Sequence, residues 1–286
     1  MPPDLLASYF TLAGNTVPVE DDRPSPTPFR DRVEAASRAG FTGFGLYYVD
    51  LVQVVERYGY AEMRAILASN GIKHLELDAL QNWFTRGELR SQSDATRRLL
   101  LESAAQLGAY QIKAVGDFTH SSTVGEMSEA FDELCGEALA VGTRVGLEPC
   151  VSSNIETVDQ AMQVVESAGH ANGGLVLDIW HIVRGGTSYN EVRALPGERI
   201  FSVELNDGSA VPVGPKLEDT IRRRLFCGEG SFDVPAFIAA VQATGYRGYY
   251  GVELVSDVFR AMPLDVMAKR AFSTSIRQFP NGDRSD

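Results

Sequence analysis

Four stretches in the second half of the chain end an apolar run in an acid: VGLEP at Val145–Pro149, LVLDIWH at Leu175–His181, FSVELND at Phe201–Asp207 and YGVEL at Tyr250–Leu254. A carboxylate inside an apolar strand costs several kcal/mol unless it is paired or holds a metal. If Glu148, Asp178, Glu204 and Glu253 converged on one place they would repel one another, and a divalent cation would remove that repulsion. Oxygen donors suit hard ions such as Mg²⁺ or Mn²⁺. Asp178 is therefore a candidate metal ligand. Taken singly, each acid also reads as a turn or cap residue: Asp207 precedes Gly208, and Glu148 precedes Pro149 and could simply leave the sheet. The repetition over successive apolar runs favours a shared site.

The elements that must position these acids alternate in kind. Short apolar runs suggest strands near Leu5–Phe10, Gly43–Tyr48, Lys73–Leu77, Tyr110–Val115, Arg144–Glu148, Leu175–Asp178, Ile200–Leu205 and Tyr249–Leu254. Amphipathic helices are expected between them at Phe29–Ala39, Ala61–Ser69, Asp94–Leu107, Glu126–Val141, Val158–Ser167, Val234–Ala243 and Leu264–Arg277. Glycines 40, 108, 142, 169 and 245 stop five of them, while Thr157 and Asp233 read as N-caps. Eight strands with intervening helices predict a single (β/α)₈ TIM barrel over residues 1–286, with about 279–286 as a frayed tail. An open doubly wound sheet is the alternative; no G-x-G-x-x-G follows a strand to support it. In a barrel, the C-terminal strand ends line the active face, where the four acids fall.

Composition narrows the function. The formal charge of −12, from 26 basic and 38 acidic residues, repels nucleic acid and anionic membranes. No run of about 20 apolar residues spans a bilayer, and the N-terminus lacks signal-peptide features. Cys135, Cys150 and Cys227 are odd in number and scattered, as expected of reduced thiols in a cytoplasmic protein. No phosphate loop, G-x-S-x-G elbow or nucleophilic cysteine constellation occurs.

LEP, D-x-x-H, V-E-L-N-D and G-V-E-L, in this order and at these strand ends, resemble the xylose isomerase-like TIM barrels, the sugar phosphate isomerase/epimerase group related to endonuclease IV. The segment GEGSFDVPAFIAAVQATGYRGYYGVEL resembles that family's seventh helix and eighth strand, and the resemblance covers nearly the whole chain. It implies one divalent metal ion, Mn²⁺ or Mg²⁺ first and Co²⁺ or Zn²⁺ next, held by Glu148, Asp178 and Glu253. The family's third ligand is usually a histidine; this chain has Glu204 there, where some relatives carry glutamine. His181 matches the substrate-contacting histidine of D-x-x-H.

The chemistry so implied is proton abstraction next to a carbonyl, through an enediolate, with Glu148 and Glu253 as the proton-transfer carboxylates. The expected activity is a sugar isomerase or epimerase acting on a keto-sugar or polyol derivative. A dehydratase of a keto-polyol or dehydroshikimate-like acid is the alternative. A non-catalytic sugar-binding barrel and an endonuclease IV-like nuclease rank lower, the latter because only four histidines are present. Expected partners are a small sugar or polyol and, as in relatives, further copies of the chain. Further substrate contacts are sought in Arg222 and Arg223, from the run Arg222-Arg223-Arg224 after the seventh strand, and in Trp83, which could stack on a sugar ring. Trp180 could wall the site and His120 could reach it; His74, His170 and Glu229 read as structural.

Overall fold

The computed structural model describes residues 3–19 and 23–280. Alternation along each strand decides the architecture. In β4 (Gln111–Val115), Ile112 and Ala114 face outward into the hydrophobic core while Gln111 and Lys113 face the barrel axis. The same division runs through β1 (Leu5–Ala7), β2 (Gly43–Tyr47), β3 (His74–Leu80), β5 (Val145–Glu148), β6 (Gly173–Asp178), β7 (Ile200–Leu205) and β8 (Tyr250–Val252). Leu75, Leu77, Val145, Leu147, Leu175, Leu177, Val203 and Leu205 all belong to the layer between strands and helices. The strands pair in parallel, in sequence order, and β8 closes on β1. The predicted (β/α)₈ barrel is thus the observed one.

Eleven α-helices are present among the described residues: α1 (Tyr9–Leu12), α2 (Phe29–Ala39), α3 (Tyr48–Ser69), α4 (Gly87–Leu107), α5 (Val124–Ala140), α6 (Val158–Ala168), α7 (Ile179–Arg184), α8 (Tyr189–Arg193), α9 (Lys216–Arg222), α10 (Val234–Ala243) and α11 (Leu264–Ile276). The expected caps act as such. Thr157 and Gln160 form a capping box on α6, and Asp233 accepts from Ala236 N–H on α10. Helix α3 begins thirteen residues before the expected Ala61, and Leu51 and Val54 bury one face of its added turns. The helix kinks at Gly59, whose φ of 66° suits glycine. β1 stops at Ala7, where the chain turns into α1, and β3 continues to Leu80.

The expected tail needs correction at its start: Phe279 is buried and packs edge-on against Tyr250 at 4.9 Å. The rest of that expectation, residues 281–286, lies outside the described residues. The three cysteines are unpaired and buried. Among the described residues, no helix is long and apolar enough to cross a membrane.

Candidate active site

The acids arrive at one end of the barrel by strand register. Asp178 on β6 stands beside Glu204 on β7, Glu204 stands beside Gly251 on β8, and Glu253 follows that strand. Glu148 ends β5 and stands beside Val115 of β4. Glu148, Asp178, Glu204 and Glu253 each bring a carboxylate oxygen to within 4.8 Å of the others, and all four are buried. Such a set of oxygens could hold a hard cation. Glu148, Asp178 and His181 form an overlapping trio within the same limit.

Two basic side chains sit among these acids. Lys113 Nζ donates to both oxygens of Glu204 at 2.8 Å and lies 3.4 Å from Asp78, 3.5 Å from Glu148 and 3.6 Å from Glu253. Arg224 Nη1 bridges Asp178 at 2.7 Å and Glu253 at 2.6 Å. The other oxygen of Asp178 accepts from Trp180 N–H at 2.9 Å and from the Asn206 amide at 2.7 Å, so its carboxylate is held from both sides.

Electrostatics separate the acids. Burial, with the charges of Glu253, Asp178 and Asp78, pushes Glu148 up to about 8 against the pull of Lys113. Burial opposes ionisation of Glu253 as well, but Lys113 and Arg224 outweigh it and bring Glu253 down to about 2. Lys113 is buried yet held well above its usual range by Asp78, Glu148, Glu204 and Glu253. Burial lowers His181 to about 4, so its ring is neutral near pH 7. Its Nδ1 accepts from Val151 N–H at 3.2 Å, which places the proton on Nε2, 3.8 Å from both Glu148 and Asp178.

These groups floor a cavity of about 650 Å³, part of it open to solvent. Asp78, Lys113, Glu148, His181, Arg224 and Glu253 are at its base; Phe10, Tyr47, Val115, Phe118, Leu217 and Ile221 form its walls.

The other expected contacts lie elsewhere. Trp83 is fully buried, donates to Val115 C=O at 2.8 Å and packs on Phe84 and Phe131, so it supports the barrel and does not line the cavity. Arg222 pairs with Asp257 and Arg223 with Glu218, both away from the cavity; the third arginine, Arg224, enters it. Trp180 backs the site, with its indole N–H on Thr220 and Arg224 5.6 Å from its ring. His120 bonds Thr119 and does not line the cavity. Asp207 is the turn residue expected, accepting from the N–H groups of Gly208, Gly228, Gly230 and Phe232. Glu229 pairs with Arg270 on the surface.

Sequence reasoning missed Lys113 and Asp78 as members of the site and named Arg224 only within a run of three arginines. A signal existed. HLELDAL and QIKAV alternate polar and apolar residues in strands that a parallel barrel buries on both faces. Polar residues at every second position there face the axis, not solvent.

Comparison with known proteins agrees with this fold. The chain is 28% identical over 238 residues to a 3-dehydroshikimate dehydratase of Pseudomonas aeruginosa, an alignment covering 82% of this chain and 37% of that enzyme. It thus spans just over a third of that longer relative. It is 23% identical over 252 residues to an inosose isomerase of Bacillus velezensis, covering 85% of this chain and 89% of the relative. The fold superposes with a TM-score of 0.84 on the IOLI protein solved with a bound zinc atom, at 21% identity, covering 96% of this chain and 97% of that one. The family described as xylose isomerase-like TIM barrel matches residues 33–276, and the chain belongs to that family.

Proposed function

We propose that this protein is a metal-dependent isomerase or epimerase that moves a proton next to the carbonyl of a keto-sugar or polyol derivative. The observation that carries this reading is the convergence of four buried carboxylates at the ends of β5 to β8, two of which, Glu148 and Glu253, line the base of an open cavity. The likeness to an inosose isomerase supports it.

The donor set fits a divalent ion. Its carboxylates outnumber the cations beside them, and burial with mutual repulsion raises Glu148 and Glu204, which is the mark of excess negative charge. Glu148, Asp178 and Glu253 would hold the ion, and Arg224 is the group with which it would compete. Mn²⁺ or Mg²⁺ suits the oxygens, and the zinc-bound structural neighbour keeps Zn²⁺ and Co²⁺ in the set to be tried. When bound, the ion supplies polarisation of the substrate carbonyl and stabilises charge developing on its oxygen.

The remaining work falls to side chains. Glu253 and Glu148, at the ends of β8 and β5, are the carboxylates placed to take the proton and to return it. His181 Nε2–H and the Arg224 guanidinium donate hydrogen bonds to substrate oxygens at the cavity base. Apolar side chains wall the cavity above them. Proton return to the opposite face of the same carbon gives an epimer, and return to the neighbouring carbon gives an isomer.

A second reading, dehydration of a keto-polyol or dehydroshikimate-like acid, is favoured by the likeness to the dehydratase. One experiment separates the readings. The purified protein is assayed for bound metal by elemental mass spectrometry, then screened with that metal against ketoses, inososes and keto acids, with product mass as the readout. Isomerisation or epimerisation conserves mass, whereas dehydration loses one water. No turnover in any metal-supplemented assay would sink the enzymatic reading.

A further inference from the structure

The four carboxylates are not equivalent. Glu204 has no exposed surface; both of its oxygens accept from Lys113 at 2.8 Å, and Oε1 also accepts from Ser8 Oγ at 2.9 Å. Both oxygens of Glu204 are thus engaged by donors of the barrel interior. The neighbouring strand is shaped for this arrangement. A Cβ on Gly251 would lie 3.0 Å from Ser8 Oγ and 3.1 Å from Glu204 Cγ, so only glycine leaves that space open without a shift. An ammonium has three N–H donors. Two are directed at Glu204, and the remaining neighbours, Asp78, Glu148 and Glu253, stand at 3.4–3.6 Å.

Arg224 differs from Lys113 in where it is borne: it lies in the connection after α9, where Arg223 bridges to Ser256 and Leu225 to Asp207. Lys113 projects from β4, inside the barrel wall, with its side chain 2% exposed. Withdrawing its ammonium from Glu204 would leave a buried carboxylate unpaired, a severe cost.

We propose that Lys113 withdraws Glu204 from the ion-binding set. The divalent ion then rests on Glu148, Asp178 and Glu253, and Glu204 is a positioning residue that fixes the Lys113 ammonium at the cavity floor. This rests on the metal-dependent reading above. It gives the exchange of the family's usual histidine for Glu204 a physical account: the lysine cancels the added charge, and the position no longer needs to ligate.

The test is the visible absorption spectrum and affinity of Co²⁺ bound to the full chain after chelator treatment. Wild type is compared with Lys113→Met/Glu204→Gln, with Lys113→Met, and with Asp178→Asn, each checked for a cooperative melting transition. The double variant replaces a neutral pair by a neutral pair. It is expected to keep the wild-type spectrum and to bind within about tenfold of wild type. Lys113→Met frees Glu204 to ligate, so its spectrum should shift and its affinity rise. Asp178→Asn should change the spectrum and weaken binding. A double variant whose spectrum departs from wild type, with Lys113→Met unchanged, would show that Glu204 ligates in the native protein and overturn the proposal. Identical spectra for all three of wild type, double variant and Lys113→Met would overturn it too, since the lysine would then withhold nothing. If Lys113→Met does not fold, the comparison of wild type with the double variant decides. Absence of Co²⁺ binding by wild type fails the metal-dependent reading itself and is seen before any variant is made.

Discussion

The two ends of the barrel interior solve the problem of buried polarity differently. At the C-terminal end, Asp78, Glu148, Asp178, Glu204 and Glu253 crowd around Lys113 and Arg224, five acids to two cations. Below them, Glu76 meets neutral partners: Gln111 donates one amide N–H set to Glu76 and to Ser202, each at 2.7 Å. At the very base, rings replace hydrogen bonds, with His74 packed on Tyr249 and Tyr110, and Arg144 over Tyr110 at 3.7 Å. The lower layers rely on neutral partners and rings, with Gln111 Oε1 and Arg144 Nε left without a hydrogen-bond partner among the described residues, whereas the mouth carries unbalanced charge facing a cavity. That difference marks the mouth as the place where a ligand completes the structure.

The largest expected effect tests the mouth as chemistry. Glu253→Gln should lower turnover of an accepted substrate by about 10²–10⁴-fold; comparable turnover would remove Glu253 from proton transfer. Next is the dependence of the acids on their cations. Arg224→Met removes the guanidinium that bridges Asp178 and Glu253 and should cost about 3–5 kcal/mol in denaturant unfolding of metal-free protein. Added Mn²⁺ should restore part of that loss, and a variant as stable as wild type without metal would show that the mouth tolerates its own charge.

A smaller effect probes the layer beneath. Burial pushes Glu76 up to about 7 from an ordinary 4.5. An acid raised on folding stabilises the fold below its unfolded pKa and loses that contribution as pH rises through its folded one. Glu76→Gln should therefore stabilise the protein at pH 8 by about 1–3 kcal/mol, and not at pH 4. Equal unfolding free energies for the two proteins at both values would contradict this. The smallest effect lies at the base. Burial lowers His74 from 6.5 to about 4, so stability present above pH 6.5 should drain as pH falls towards 4. Melting temperatures of His74→Gln across that window should decline less steeply than those of wild type.

The sequence by itself determined the outward half of this protein and the positions of its strand-end acids. Apolar alternation, helix-stopping glycines and the caps at Thr157 and Asp233 are local signals, and the helices they predict are present. Glu148, Asp178, Glu204 and Glu253 were legible because a charge closing an apolar run breaks a local pattern. Tertiary structure decided what those acids meet. Lys113 reaches Glu204 across 91 residues of chain, and Arg224 reaches Asp178 across 46. Neither partnership leaves a trace in neighbouring residues, and of three consecutive arginines only the fold selects which one turns inward. Trp83 shows the converse: its position after β3 suggested a substrate platform, but the Val115 carbonyl and Phe131 gave it a buried berth. Local sequence fixes which way each strand residue points; closure of the barrel decides which of those residues become neighbours, because only closure brings distant strands to a common axis.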